Sequence, residues 1–297
     1  MSIAVAISVH DGVVLAADSA STLAAGFIGG LPGAGPQPVA MNVYNNANKI
    51  ANLYKGKPIG CVAYGSGSIG SASISTLLKD FRYRLMTGLE KDFNPSSYTI
   101  EEIGNRLSGF LDKQTQTLGS NDPKPTLGLM LAGYSADKTP GEVKSLGEVW
   151  SIGIQNGIPA PVQNMRPKDP VGISWAGEAE SLARLLMGFS PRLPQLLQVV
   201  AKPAPSPQDM EQLLGFLSTN LQAPVVFPPM PIQDTIDLAE WLVQTAIMFS
   251  RFTPGVPVVG GPIESAAITK HEGFKWIRRK HYYHRDFNLE VTNERSA

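Results

Sequence analysis

The sequence predicts an α+β sandwich, and three observations carry that prediction. An apolar hairpin pattern opens the chain, amphipathic helical periods arrive in groups rather than alternating one by one with strands, and strand patterns return in the middle and near the end. In the opening strand Val5, Ile7 and Val9 alternate with smaller residues. His10-Asp11-Gly12 then carries an Asp-Gly turn signal, and residues 13–17 resume an apolar run that ends at Asp18. With the turn near residue 11, partner numbers across such a hairpin sum to a roughly constant value, so Ser2 is expected next to Asp18. A helix is predicted over residues 68–89, where Ile69, Ile74, Leu77, Leu78, Phe81 and Leu85 mark one apolar face, and another over 100–115. Strands follow at 126–133 and 144–154, the second alternating through Val149, Trp150 and Ile152. Helices are expected at 178–188, 207–221 and 231–249, and closing strands at 257–260 and 264–269. No internal repeat is visible.

Two stretches interrupt this order. Residues 26–38 contain Gly-Gly-Leu-Pro-Gly-Ala-Gly-Pro, and residues 202–232 are rich in proline on both sides of one short helix. Such punctuation marks extended or mobile loops rather than core. The first reads as a plain surface insertion or, where such a loop borders a functional site, as a substrate flap.

Composition narrows the function. A chain of 297 residues can bury a large core, as one enlarged domain or two small ones. Its 25 basic and 25 acidic side chains cancel, leaving no global field to draw nucleic acid or an anionic membrane. No apolar run reaches the roughly 18 residues that span a bilayer, and the first strand lacks the flanks of a signal peptide, so a cytoplasmic location is expected. Cys61, the sole cysteine, reads as a small buried hydrophobe. His10, His271, His281 and His284 have no ligand pairing with it, so neither metal nor cofactor is expected. Gly65-Ser66-Gly67-Ser68-Ile69-Gly70 fits a dinucleotide fingerprint. That fingerprint needs an acid about 20 residues on, at the end of a second parallel strand. Glu90 and Asp92 instead follow helix directly, which ranks this reading below a hydrolase.

The hydrolase reading begins at Ser2. Removal of Met1 would leave one residue holding both a hydroxyl nucleophile and a free α-amine as its base. The run Ser2-Ile-Ala-Val-Ala-Ile-Ser-Val-His-Asp-Gly-Val-Val-Leu-Ala-Ala-Asp18 resembles the opening of the proteasome β-subunit family and its bacterial self-compartmentalising relatives, which are N-terminal nucleophile hydrolases. The resemblance is dense over residues 2–22 and 48–72 and returns over 246–269. It implies a four-layer αββα sandwich of two antiparallel sheets flanked by helices. As a domain plan it implies a single unit over residues 1–271, with insertions at about 23–40 and 190–232 and a basic-aromatic extension over 272–297.

By the same resemblance Ser2 is the nucleophile and Asp18 the acidic partner. Asn48-Lys49-Ile50 supplies the lysine, and Gly65, in Ile59-Gly60-Cys61-Val62-Ala63-Tyr64-Gly65-Ser66-Gly67, the oxyanion glycine. Lys49 would favour the alkoxide, Asp18 would hold its ammonium, and the Gly65 N–H would meet the oxyanion. Ala20, Ser21 and Thr22 correspond to the edge strand that pairs with substrate backbone, and Ala63 and Gly67 to the pocket floor. Each residue also has a plain reading: Ser2 an exposed second residue, Asp18 a strand end, Lys49 a solvated lysine, Gly65 a helix-start turn. Their joint order and spacing favour the catalytic set. Two positions depart from the family. Arg251-Phe252-Thr253-Pro254-Gly255 stands where Arg-Asp-x-x-Ser-Gly is common, and Ala176 where a serine is usual.

The implied function is a peptidase subunit acting on peptides or unfolded protein in a ring or ring-like homo-oligomer, with an unfoldase partner left open. A small-amide amidase and a silent scaffold subunit are the other classes in play. The aromatic and arginine content of residues 274–285 suits a subunit contact in an assembly of roughly six or more copies, or a strand or arm folded back on its own subunit.

Overall fold

The computed structural model describes residues 2–28, 37–136 and 146–280. Strands β1 (Ile3–Val9) and β2 (Gly12–Ala17) form the opening hairpin, and every residue in both is buried. Val9 pairs with Gly12 and Ala4 with Ala17, so His10 and Asp11 alone make the turn. The Asp-Gly signal therefore marks the turn, but its glycine belongs to the strand. A Cβ on Gly12 would lie 2.9 Å from both Ile232 Cδ1 and the Ile268 carbonyl oxygen, which makes close packing the reason for that glycine.

Strands β3 (Ser21–Ile28) and β4 (Gln37–Tyr44) pair with each other as a separate antiparallel ribbon. Strand thus occupies both flanks of the predicted 26–38 loop, because pairing rather than composition decides there; residues 29–36 lie outside the described residues. Next come β5 (Ile50–Asn52), β6 (Ile59–Gly65) and a short hairpin of β7 (Ser68–Ile69) and β8 (Ala72–Ser73). That hairpin delays helix α1 (Ile74–Met86) six residues beyond its predicted start at 68. Gly70 turns it at φ 56°, and the Ser73 hydroxyl then caps the helix by accepting from the Thr76 N–H. Thr99 caps α2 (Ile100–Gln116) in the same way, with Glu101 and Glu102 in its first turn.

Strand β9 (Leu127–Gly133) falls within the predicted 126–133, and β10 (Glu148–Gln155) carries the alternation read through Val149, Trp150 and Ile152; residues 137–145 lie outside the described residues. The short strands β11 (Ile158–Pro159) and β12 (Gln163–Asn164) lead to β13 (Gly172–Gly177) and the helices α3 (Glu180–Met187), α4 (Leu193–Val200), α5 (Pro207–Leu221) and α6 (Ile232–Phe252). A Ser206–Asp209 capping box fixes the start of α5. The chain closes with β14 (Glu264–Thr269) and β15 (Gly273–Arg278).

Two expectations are corrected here. Residues 257–260 form no strand, since the Gly260 N–H and carbonyl bind the Asp18 carboxylate and the Ser19 N–H instead of a ladder. Residues 273–278, placed beyond the last core strand, pair with β14 as an edge strand, and Phe274 fills the space over Gly60.

The described residues thus form an α+β fold with six helices and two principal antiparallel sheets, ordered β13-β1-β2-β14-β15 and β11-β10-β9-β6-β5. Apolar packing falls into three clusters. Helices α1 and α2 pack Leu77, Phe81, Ile103 and Leu107 on Ile59, Leu129 and Leu131 of the second sheet. Helices α3 and α6 pack Leu182, Ala239 and Val243 on Ile3, Val5, Ile7 and Val14 of the first. Between the sheets lie Ala4, Ala6, Val13, Leu15, Val62, Met130 and Ile268. The alternation in β1 is therefore large-to-helix and small-to-sheet rather than inside-to-outside, and it points even-numbered residues at the second sheet.

Candidate active site

Asp18 follows β2 directly and is wholly buried. Its Oδ1 accepts from the Ile3 N–H at 3.0 Å and Lys49 Nζ at 2.5 Å, while Oδ2 accepts from Ala20 N–H at 3.1 Å and Gly260 N–H at 3.0 Å. Four donors fill the acceptor capacity of one carboxylate, and a buried charge needs such company. The hairpin places Asp18 against Ile3, one residue from Ser2, as the register arithmetic requires.

Lys49 sits just before β5. Its N–H donates to Glu264 Oε2 at 3.3 Å and its carbonyl accepts from the Ala63 N–H at 2.8 Å, so both backbone groups are tied before the side chain reaches Asp18. At 7 % exposure it is no solvated lysine. Burial holds its ammonium below the ordinary lysine range; Asp18 opposes that shift, Lys280 adds to it and Glu264 opposes it.

Gly65 ends β6 at φ 89°, where a Cβ would come within 2.6 Å of the Thr126 carbonyl oxygen. Both the strained angle and the close backbone demand glycine. The next residue pins the turn, since Ser66 N–H donates to that same oxygen at 2.8 Å and Ser66 Oγ accepts from the Thr126 N–H at 3.0 Å. Gly67 is different. A Cβ there would meet Ser21 Oγ at 3.6 Å, an ordinary contact.

Ser2 is 4 % exposed, and its carbonyl accepts from the Glu178 N–H at 2.7 Å. The end of β13 presses on it so closely that a Cβ on Gly177 would lie 1.9 Å from the Ser2 carbonyl oxygen. Ser2 lines a cavity of 680 Å³ with Lys49, Gly65, Ala63 and Gly67. Ala20, Ser21 and Thr22 line the same cavity, whose wall also takes in residues 44–48, Tyr64, Ser66 and the start of α1 with its Ser73 cap. Eight of the nine site residues expected from sequence therefore meet at one cavity, and the ninth, Asp18, stands behind Lys49. Thr22 Oγ1 is buried without a hydrogen-bond partner among the described residues.

Sequence reasoning missed two charged residues at this site. Glu264 opens β14 and is 1 % exposed. Lys280, two residues past β15, lies 3.3 Å from Glu264 Oε2, donates to the Ala47 carbonyl at 2.6 Å and also donates to Ser19 Oγ. An acid inside the apolar run Ile263 to Ile268 was a legible signal for Glu264. Within Arg278-Arg279-Lys280, nothing singled out Lys280.

The departures from the family pattern have clear positions. Ala176 pairs with Ala4 in the β1–β13 ladder, and Phe252 is 73 % exposed at the end of α6 beneath the Arg251 guanidinium. The glycines at 65, 67 and 70 do not lead straight into a helix, and β6 runs antiparallel to both β5 and β9, which removes the basis of the dinucleotide reading. Cys61 is fully buried, and burial pushes its thiol up to about 12. Among the described residues no group of three or more His, Cys, Asp or Glu side chains would hold a metal, and no helix is long and apolar enough to cross a membrane.

Chemically, the site combines a sheltered hydroxyl, a buried ammonium locked to a carboxylate, and a backbone turn held open by glycine. No protein-family model matches this chain, and no curated protein matches it.

Proposed function

We propose that this chain is an N-terminal nucleophile hydrolase that cleaves peptide bonds through Ser2, with a four-layer αββα sandwich as its framework. One observation carries the proposal: Ser2, Lys49 and Gly65 line one cavity while the buried Asp18 carboxylate holds Lys49 at 2.5 Å. Cleavage of the Met1–Ser2 bond supplies the free amine that the mechanism requires. With a reference pKa of about 8, that amine accepts the Ser2 hydroxyl proton, directly or through a water, as Oγ attacks the substrate carbonyl. The Lys49 charge favours the developing alkoxide, and the Gly65 N–H meets the oxyanion. Collapse expels the amine product and leaves an ester on Ser2 Oγ, which water hydrolyses.

An extended peptide fits the line of Ala20, Ser21 and Thr22 along one cavity wall, with its side chain directed toward Ala63 and Gly67. We place this activity in a cytoplasmic homo-oligomer, ring-like or spiral, fed by peptides or unfolded protein.

Intact mass before and after an epoxyketone or β-lactone probe tests the reading. Loss of Met1 and one probe adduct, absent in Ser2→Ala, is the expected result. Full peptidase activity with Met1 wholly retained overturns the mechanism. A silent scaffold is the second reading, and the apolar Ala176 and Phe252 favour it. Its signature is Met1 loss and a large assembly by light scattering, with no adduct. A labelled monomer points instead to a small-amide amidase.

A further inference from the structure

We propose that Lys280 is a positioning residue of this site, a second, part-buried ammonium that fixes the backbone on either side of the Asp18–Lys49 pair. The inference rests on the hydrolase reading only for its kinetic consequence. Four charges alternate through the interior: Asp18 binds Lys49 Nζ, Glu264 Oε2 accepts from the Lys49 N–H, and Lys280 Nζ sits 3.3 Å from the same Glu264 oxygen. The side chains of Asp18 and Glu264 are 0 % and 2 % exposed, and those of Lys49 and Lys280 8 % and 10 %.

The Lys280 ammonium also reaches two loops that line or support the cavity. It donates to Ser19 Oγ, in the turn that carries Asp18, and to the Ala47 carbonyl, two residues before Lys49. Those loops are already joined by the Ala47 N–H to Ser19 carbonyl bond at 2.9 Å, and Ser19 Oγ donates onward to the Pro262 carbonyl at 2.5 Å. One cation thus ties the turn after β2, the approach to β5 and the start of β14 to the end of β15. A surface lysine would have no reason to leave water for such a place, because burying an ammonium is costly unless it is paired and hydrogen-bonded.

The charges facing Lys49 are Asp18 after β2, Glu264 in β14 and Lys280 past β15. Lys280 repels the Lys49 proton and also screens Glu264, so its removal lets Glu264 act on Lys49 unopposed. Both changes push the Lys49 titration to higher pH.

Lys280→Met and Lys280→Arg in the full chain test this, with Lys49 followed by NMR of 13Cε-labelled lysine and assigned by its loss in Lys49→Arg. In Lys280→Met the Lys49 titration should rise by at least about half a pH unit. Peptide kcat should fall about tenfold to a hundredfold at little-changed KM. Lys280→Arg keeps the charge and should restore both. A folded Lys280→Met whose Lys49 titrates at the wild-type pH overturns the proposal, and so does one with wild-type kcat. Should wild-type protein take no probe at Ser2, the hydrolase reading fails while the Lys49 titration still decides this one. Should Lys280→Met not fold, E264Q/K280M removes both members of the pair. Backbone hydrogen exchange over residues 45–50 should then quicken by about tenfold or more, as expected when a local tether is lost; unchanged exchange overturns the proposal.

Discussion

Replacing Asp18 with Asn keeps the shape of the side chain and removes its charge, which isolates what the carboxylate does. In the native site two oxygens accept four N–H donors, three from backbone and one from Lys49. An amide presents one acceptor and turns an NH2 group against two of those donors. If its oxygen stays on Ile3 and Lys49, the Ala20 and Gly260 N–H groups face another donor; if it turns around, the Ile3 N–H and the Lys49 ammonium do. Removing one partner of a buried ion pair costs about 3–5 kcal/mol, and a stranded buried N–H about 1–3 kcal/mol more. Against a total stability of about 5–15 kcal/mol for a typical domain, Asp18→Asn should bring the protein near the edge of unfolding.

Urea denaturation at pH 7, extrapolated linearly for wild type, D18N, K49M and D18N/K49M, measures the effect. The double variant strands no charge and should fall short of the sum of the single losses by about 1–3 kcal/mol, the range of coupling for groups in contact. A D18N midpoint within error of wild type, or additive single losses, would refute the claim that Asp18 is held as a charged, fully satisfied carboxylate.

Two further outcomes follow from the geometry. Gly65→Ala forces a Cβ to 2.6 Å from the Thr126 carbonyl at φ 89°, so it should lower stability by about 1–3 kcal/mol in the same urea assay and abolish probe labelling at Ser2. Burial pushes the Tyr98 and Tyr134 phenols up to about 12, with Asp11 adding to the effect at Tyr134. A raised folded-state pKa means stability present in full below pH 10, the ordinary tyrosine value, and lost as pH rises toward 12. Melting temperatures taken from pH 9 to 12 should fall most steeply in that window, and Tyr98→Phe should flatten the fall; a Tyr98→Phe curve parallel to wild type would contradict this.

Sequence and structure agree most closely where the information is local. Periodicity gave the bounds of α5 and nearly those of α2, because an apolar face repeating every three to four residues is written within one window. It overran at α1, where Gly70 and the Ser73 cap insert a hairpin that the apolar run from Ile69 conceals. The ribbon of β3 and β4 was hidden by the glycines and prolines between its arms, and β15 by its basic and aromatic composition. In each case a strand exists because a partner strand satisfies its backbone, and the partner is not legible in the strand itself.

The amino-acid sequence alone determined the opening hairpin and the nearness of Ser2 to Asp18, because strands joined by a turn near residue 11 pair residues whose numbers sum to a roughly constant value; the structure set the register, with His10-Asp11 rather than Asp11-Gly12 in the turn. The sequence also determined the glycine turn at Gly65 and the small even-numbered residues that let the sheets approach. Only the tertiary structure decided which charges are buried and with whom. Asp18 meets the Gly260 N–H across 242 residues and Lys280 meets Ser19 across 261. Desolvation is a property of everything packed around a group, so although Asn48-Lys49-Ile50 marked Lys49, no window of sequence distinguishes Lys280 from the chain's other lysines until the sheets have closed.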